Sequence, residues 1–137
     1  MRLSDETIRL VRASAALLPA DDPAPVHAFY ERLFELAPDV RPMFKSTLDL
    51  QVRKLADMLS WIIANLDDPG TMMTTLQQLG VRHNEYGVVQ DHYAPVGSAL
   101  IHMFKVTLGD RFTPEMEEAW LETYAHISGG MERGARQ

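Results

Sequence analysis

Apolar residues along the chain recur every three to four positions, and no stretch alternates apolar with polar as a half-buried strand would. Ile8, Val11, Ala15 and Leu18 share one helical face. Ser4 precedes them as a capping residue, with Asp5 and Glu6 in the first turn, where the helix dipole favours negative charge. Pro19 and the DDPAP stretch at 21–25 end that helix. A second helix is expected from Pro23 or Pro25, with Val26, Phe29, Tyr30, Leu33 and Phe34 inward. Pro38 and Pro42 bracket a short tight turn that carries Phe44. Val52, Leu55, Leu59, Ile62 and Leu66 form the clearest stripe, broken by Asp67, Asp68, Pro69 and Gly70. A shorter helix follows, with Met72, Leu76, Leu79 and His83 on one face and a break at Gly87. A long helix begins near Asp91 and tolerates Pro95 in its first turn. Its inner face reads Tyr93, Val96, Gly97, Leu100, Ile101, Phe104 and Leu108, and Gly109 ends it. Thr113, Pro114 and Glu115 start the last helix. Met116, Ala119, Trp120, Thr123, Tyr124, Ile127 and Met131 line it, and Gly129 and Gly130 are expected to fray its end.

The pattern predicts an all-α class with six to eight helices, short connections and no repeat. Unequal helix lengths and the Pro-rich second corner favour crossed packing, near about 50°, over packing near about 20°. The 137 residues make one domain. At 46% hydrophobic and 23% charged the composition suits a folded core rather than a disordered chain. With no cysteine, disulfide scaffolds, thiolate zinc sites and cysteine nucleophiles drop out together. A net charge of −6 disfavours a nucleic-acid partner, whose phosphates call for clustered Lys and Arg. No apolar run is long enough to span a bilayer, and MRLSDETIRLVR has no apolar signal core, so the expectation is a cytoplasmic protein without a membrane partner.

Candidate chemistry is sparse. The five histidines, at 27, 83, 92, 102 and 126, make no ligand pair at helical spacing. His83 and Glu85 form an H-x-E as in zinc deaminases, but those need two thiolates as well. The acidic pairs Asp67–Asp68 and Glu117–Glu118 point about 100° apart on a helix and read as solvated faces. No glycine-rich phosphate loop occurs. His83 stands out because it lies on an apolar face. It is either a buried imidazole bonded to a carbonyl or a single axial ligand to a cofactor metal whose other ligands the cofactor supplies, as haem does. Tyr30, on a buried face, needs a partner for its hydroxyl, either a backbone group or a bound ligand. Gln51, at the polar edge of the clearest stripe, either faces water or reaches over a pocket. His92 sits beside Tyr93 near a helix start, His102 lies on a polar side, and His27 and His126 read as surface or rim residues. Arg53 and Arg82 are within the repertoire for haem carboxylates, with a surface role the plainer reading.

Four stretches carry a resemblance: HAFYERLFELAPDVRPMF from His27, QVRKLADML from Gln51, RHNEYGVVQDHYAPVGSAL from Arg82 and EAWLETYAHI from Glu118. Together they resemble the globin family, in particular single-domain bacterial globins and the globin domain of flavohaemoglobins. The most specific part is R-H, nine residues, then Y-x-x-V-G. The resemblance implies the globin fold, three helices crossed on three around a haem pocket, and haem b (iron protoporphyrin IX) as cofactor. It implies His83 as proximal iron ligand, Phe44 packed on the porphyrin and Leu55 roofing the iron. It further implies Tyr30 and Gln51 as distal donors to dioxygen, and Tyr93 beside the proximal imidazole. One position departs: the proximal glutamate of flavohaemoglobins falls, counted from Trp120, at Gln137, which carries no charge. Glu132 is five residues, about 500° of helix, away.

Three functions follow as expectations. The first is reversible, slow-releasing binding of dioxygen for storage, delivery or scavenging, from a monomer or weak homodimer, with nitric oxide, carbon monoxide and cyanide as further ligands. The second is a nitric oxide dioxygenase that makes nitrate from dioxygen and nitric oxide. That cycle oxidises the iron and needs an external reductase. The third is a haem-based gas sensor or a non-haem globin-like interaction module, which a polar pocket of His83, Tyr30 and Gln51 disfavours.

Overall fold

The computed structural model describes residues 3–19, 21–43, 47–85 and 92–135. Phe44 and Gln137 lie outside the described residues. Six α-helices follow in order: α1 (Asp5–Ala16), α2 (Ala24–Leu36), α3 (Leu48–Ala64), α4 (Pro69–Glu85), α5 (Tyr93–Leu108) and α6 (Pro114–Ala135). A 3-10 segment, Pro38–Met43, follows α2, and a 3-10 turn, Gly109–Arg111, follows α5. No strand occurs among the described residues. The main pairings are α4 with α6, α2 with α5 and α1 with α6.

Local chemistry explains the helix starts. Ser4 Oγ accepts from the Thr7 N–H at 3.1 Å, and Thr47 Oγ1 from the Leu50 N–H at 3.3 Å. α3 therefore begins at Leu48, and Gln51 falls in its first turn. Asp68 plays the same part for α4, accepting from the Thr71 N–H at 3.3 Å and the Thr71 hydroxyl at 2.8 Å, with Pro69 as the first helical residue. The expected break at 67–70 thus becomes a cap. α4 is not the shorter helix expected but equals α3 at 17 residues. Gly109 ends α5 at φ 55°, a conformation that needs the missing Cβ.

The core gathers Trp120, Phe104, Met103 and Val11, all essentially without exposure. Phe104 stacks on Phe112 at 5.1 Å and tilts against Trp120 at 4.8 Å. The Trp120 indole N–H donates to Ser14 Oγ at 2.7 Å, and Ser14 in turn donates to the Val11 carbonyl at 2.9 Å. Thr7 donates to Glu122 at 3.0 Å. These bonds turn the buried face of α1 toward Thr7 and Ser14, while Ala15 and Leu18, expected inside, are only partly covered.

The end of α6 corrects a second expectation. The helix runs on through Gly129 and Gly130 to Ala135. Two of its glycines, Gly130 and Gly134, are where α4 packs closely, against a side chain and a backbone respectively. A Cβ on Gly134 would stand 2.0 Å from the Gln77 carbonyl oxygen, and one on Gly130 2.9 Å from Leu76 Cβ. Close packing, not fraying, is what glycine provides there.

Candidate functional site

Tyr30 comes from the middle of α2, 5% exposed, its ring edge-on to Phe29 at 5.1 Å and tilted to Phe34 at 5.9 Å. The Arg41 guanidinium covers Phe34 at 4.8 Å. The Tyr30 hydroxyl donates to the backbone carbonyl of Gln51 at 3.3 Å. Burial pushes this phenol up to about 12, so it stays a neutral donor at ordinary pH. Gln51 itself is half-buried, and Leu55, one turn further along α3, packs partly covered against the core. The fold thus brings the Tyr30 hydroxyl to the Gln51 backbone at the α2–α3 contact.

His83 lies near the end of α4, half-buried. Its Nδ1 is 2.7 Å from the Leu79 carbonyl oxygen. A carbonyl can only accept, so Nδ1 carries a proton, and in the neutral form of the ring the lone pair lies on Nε2. The two readings open at the level of sequence therefore coincide in one geometry. The carbonyl bond that satisfies a core histidine also orients a ligating one.

Tyr93 begins α5, half-buried, and its backbone carbonyl accepts from the Tyr124 hydroxyl at 2.6 Å. Gly97 makes room for the Tyr124 ring, which would lie 2.8 Å from a Cβ there. Burial raises both phenols well above their ordinary value; the negative charge of Glu132 pushes in the same direction. Counting along the helix set Glu132 aside, yet its field reaches both tyrosines.

His92 was not singled out in the sequence. It is 8% exposed, and its Nε2 lies 2.9 Å from Asp39 Oδ2, joining the 3-10 segment to the start of α5. The bond from His92 holds the Asp39 carboxyl below its ordinary range. No local signal marks this pair, since its members are 53 residues apart. His27, His102 and His126 are half-buried, with His27 Nε2 3.8 Å from Asp49. Arg53 and Arg82 are exposed. An open hollow of about 400 Å³ is lined by Asp5, Ile8, Arg9, Arg12 and Asp67, none of them a candidate site residue.

The donor set fits an iron porphyrin. Haem asks the protein for a single axial nitrogen, and His83 has an imidazole whose Nδ1–H is held by a carbonyl. Among the described residues no three His, Asp or Glu side chains gather as a metal site of their own.

The globin family model matches residues 27–131. A flavohemoprotein of Rhodopirellula baltica is 31% identical over 92% of this chain, which spans only 32% of that protein. A neuroglobin of Dissostichus mawsoni is 28% identical, covering 97% of this chain and 92% of its own length. Among solved structures, an engineered carbene transferase, made from a Rhodothermus marinus protein named for nitric oxide dioxygenation, superposes with a TM-score of 0.86. It is 29% identical and covers 98% of this chain and 94% of its own. The chain belongs to the globin family.

Proposed function

We propose that this globin is a haem protein that reversibly binds dioxygen, held through His83 and steadied by Tyr30 and Gln51. The observation that carries this reading is the Nδ1–H bond from His83 to the Leu79 carbonyl, the orienting bond that a metal-ligating imidazole makes through its other ring nitrogen. Haem b, when bound, supplies a ferrous centre to which a diatomic gas attaches and from which it leaves intact. His83 anchors it, and the Leu79 carbonyl makes the imidazole a stronger donor. Phe44 would pack on the porphyrin, Leu55 would roof it and Tyr93 would stand beside the proximal ring.

Tyr30 and Gln51 then act on the gas. At 3.3 Å the hydrogen bond from Tyr30 to the Gln51 carbonyl is long, so the hydroxyl can turn toward a ligand at small cost. Outer atoms of bound dioxygen carry partial negative charge. A hydroxyl and an amide aimed there contribute about 1–3 kcal/mol each in a low-dielectric pocket, or roughly 5–150-fold in release rate. Carbon monoxide develops less charge and gains less; nitric oxide and cyanide are further ligands of the same reading. A cytoplasmic monomer or weak homodimer completes it.

A second reading, nitric oxide dioxygenation with electrons from an external reductase, is favoured by the names of the flavohemoprotein and Rhodothermus marinus relatives. Absorption spectra of the purified, reduced protein with and without dioxygen test the first reading. Haem bands that shift reversibly with the gas are expected, and a colourless protein that refuses added haem refutes it. Sustained nitric oxide consumption with a supplied reductase would select the second.

A further inference from the structure

We propose that α6 positions the His83 imidazole through Gly80, so that the helix packing sets the strength of the proximal bond. This rests on the reading of His83 as the haem ligand. The carbonyl that accepts from His83 Nδ1 belongs to the Leu79–Gly80 peptide unit. On its far side the same unit sits on the backbone of α6. A Cβ built on Gly80 would stand 1.8 Å from the Met131 carbonyl oxygen and 2.6 Å from its carbon. Both are backbone atoms, so no rotamer change relieves the contact. Gly134 against Gln77 and Gly130 against Leu76 repeat the approach within a turn. Together the three glycines fix the height and rotation of α4 on α6.

A peptide unit is planar and stiff, so displacing the Gly80 Cα carries the Leu79 carbonyl with it. The orientation and donor strength of the imidazole follow that carbonyl. Gly80 is thus a positioning residue for a ligand three places on. Gly129 supplies the contrast: a Cβ there meets nothing nearer than Arg133 Nη1 at 3.9 Å.

The test uses the haem-loaded protein and four variants: Gly80→Ala, Gly130→Ala, Gly129→Ala and Val11→Ala. Two quantities are read: the iron–histidine stretching band of the ferrous form by resonance Raman, and the rate of haem loss to an excess of a scavenging apoprotein. Gly80→Ala and Gly130→Ala are expected to shift the band and to speed haem loss at least about tenfold. The larger shift belongs to Gly80→Ala. Gly129→Ala leaves both unchanged. Val11→Ala, a core truncation away from α4, lowers the melting temperature without moving the band, which separates positioning from mere loss of stability. Should Gly80→Ala fail to fold, Gly130→Ala decides, because its added Cβ would meet Leu76 Cβ at 2.9 Å, a milder clash than at Gly80 but with an atom that moves only with the α4 backbone. A folded, pigmented Gly130→Ala with the wild-type band and wild-type haem loss overturns the inference. Should the wild type itself refuse haem, the proposed function fails, and the seat is judged on the apoprotein instead. The His83 Nδ1–H proton resonance must then shift in Gly130→Ala, and an unmoved resonance overturns the inference.

Discussion

The Tyr30 hydroxyl meets the Gln51 backbone carbonyl at 3.3 Å and so ties the middle of α2 to the first turn of α3. Under the proposed function the same hydrogen atom would have a second use, holding a gas ligand. Tyr30→Phe removes both. Its expected effect on dioxygen release, by stopped-flow mixing with a competing ligand, is an acceleration of at least several-fold. The expected loss of folding stability is only about 0.5–1.5 kcal/mol, the net worth of one such bond. An unchanged release rate removes Tyr30 from the ligand site.

His83→Ala is expected to abolish pigment while leaving the helical circular dichroism of the haem-free protein near wild type, because the side chain is only half-buried. Added haem should raise the melting temperature of the wild type and not that of the variant, since only a bound ligand shifts the folding equilibrium. Equal pigment in both proteins is the result that excludes His83 as the anchor.

Alkaline pH tests the burial of Tyr30. Its phenol is raised from an ordinary 10.0 to about 12 in the folded state. Between those values the unfolded chain releases the proton and the folded one keeps it, so stability falls as pH rises. The loss approaches about 3 kcal/mol above the folded value. Tyr30→Phe should flatten the alkaline limb of a denaturant-midpoint profile. Tyr124, also raised by burial, contributes a limb that persists in the variant. Superimposable profiles for wild type and Tyr30→Phe would contradict the burial.

Ser14→Ala leaves the Trp120 indole N–H without its acceptor in the dry core. An unsatisfied buried donor costs about 1–3 kcal/mol, so the urea midpoint should drop with the slope unchanged. Trp120→Phe, which deletes the donor, should make the further change Ser14→Ala nearly neutral. Strict additivity of the two would contradict the bond.

Helix existence, order and most inward faces were legible in the sequence because apolar spacing reports them directly. The inner positions of α6, Ala119, Trp120, Thr123, Ile127 and Met131, came out as read. Three features were not legible, the last two for a reason of range. Asp68 reads as a breaker until its carboxylate is seen on Thr71. Gly129 and Gly130 read as weak helix formers until α4 is placed against Gly130. His92 gains meaning only from Asp39, which no local pattern connects to it. The site residues were suggested mainly by resemblance. Geometry adds what resemblance lacked, the Leu79 carbonyl on His83 and the charge of Glu132 acting on Tyr93.

The guanidinium of Arg12 reaches from α1 to the Ile63 and Ala64 carbonyls at the end of α3, at 3.1 and 3.2 Å, and to Asp67 at 3.2 Å. With Ser14 on Trp120, it makes α1 a brace across two other helices, though α1 lies outside residues 27–131, the part that the family model matches. A chain trimmed to that span would lose a cap on α3 and a core acceptor at one stroke. The opening segment therefore belongs to the same cooperative unit as the rest and would not melt as a separate appendage.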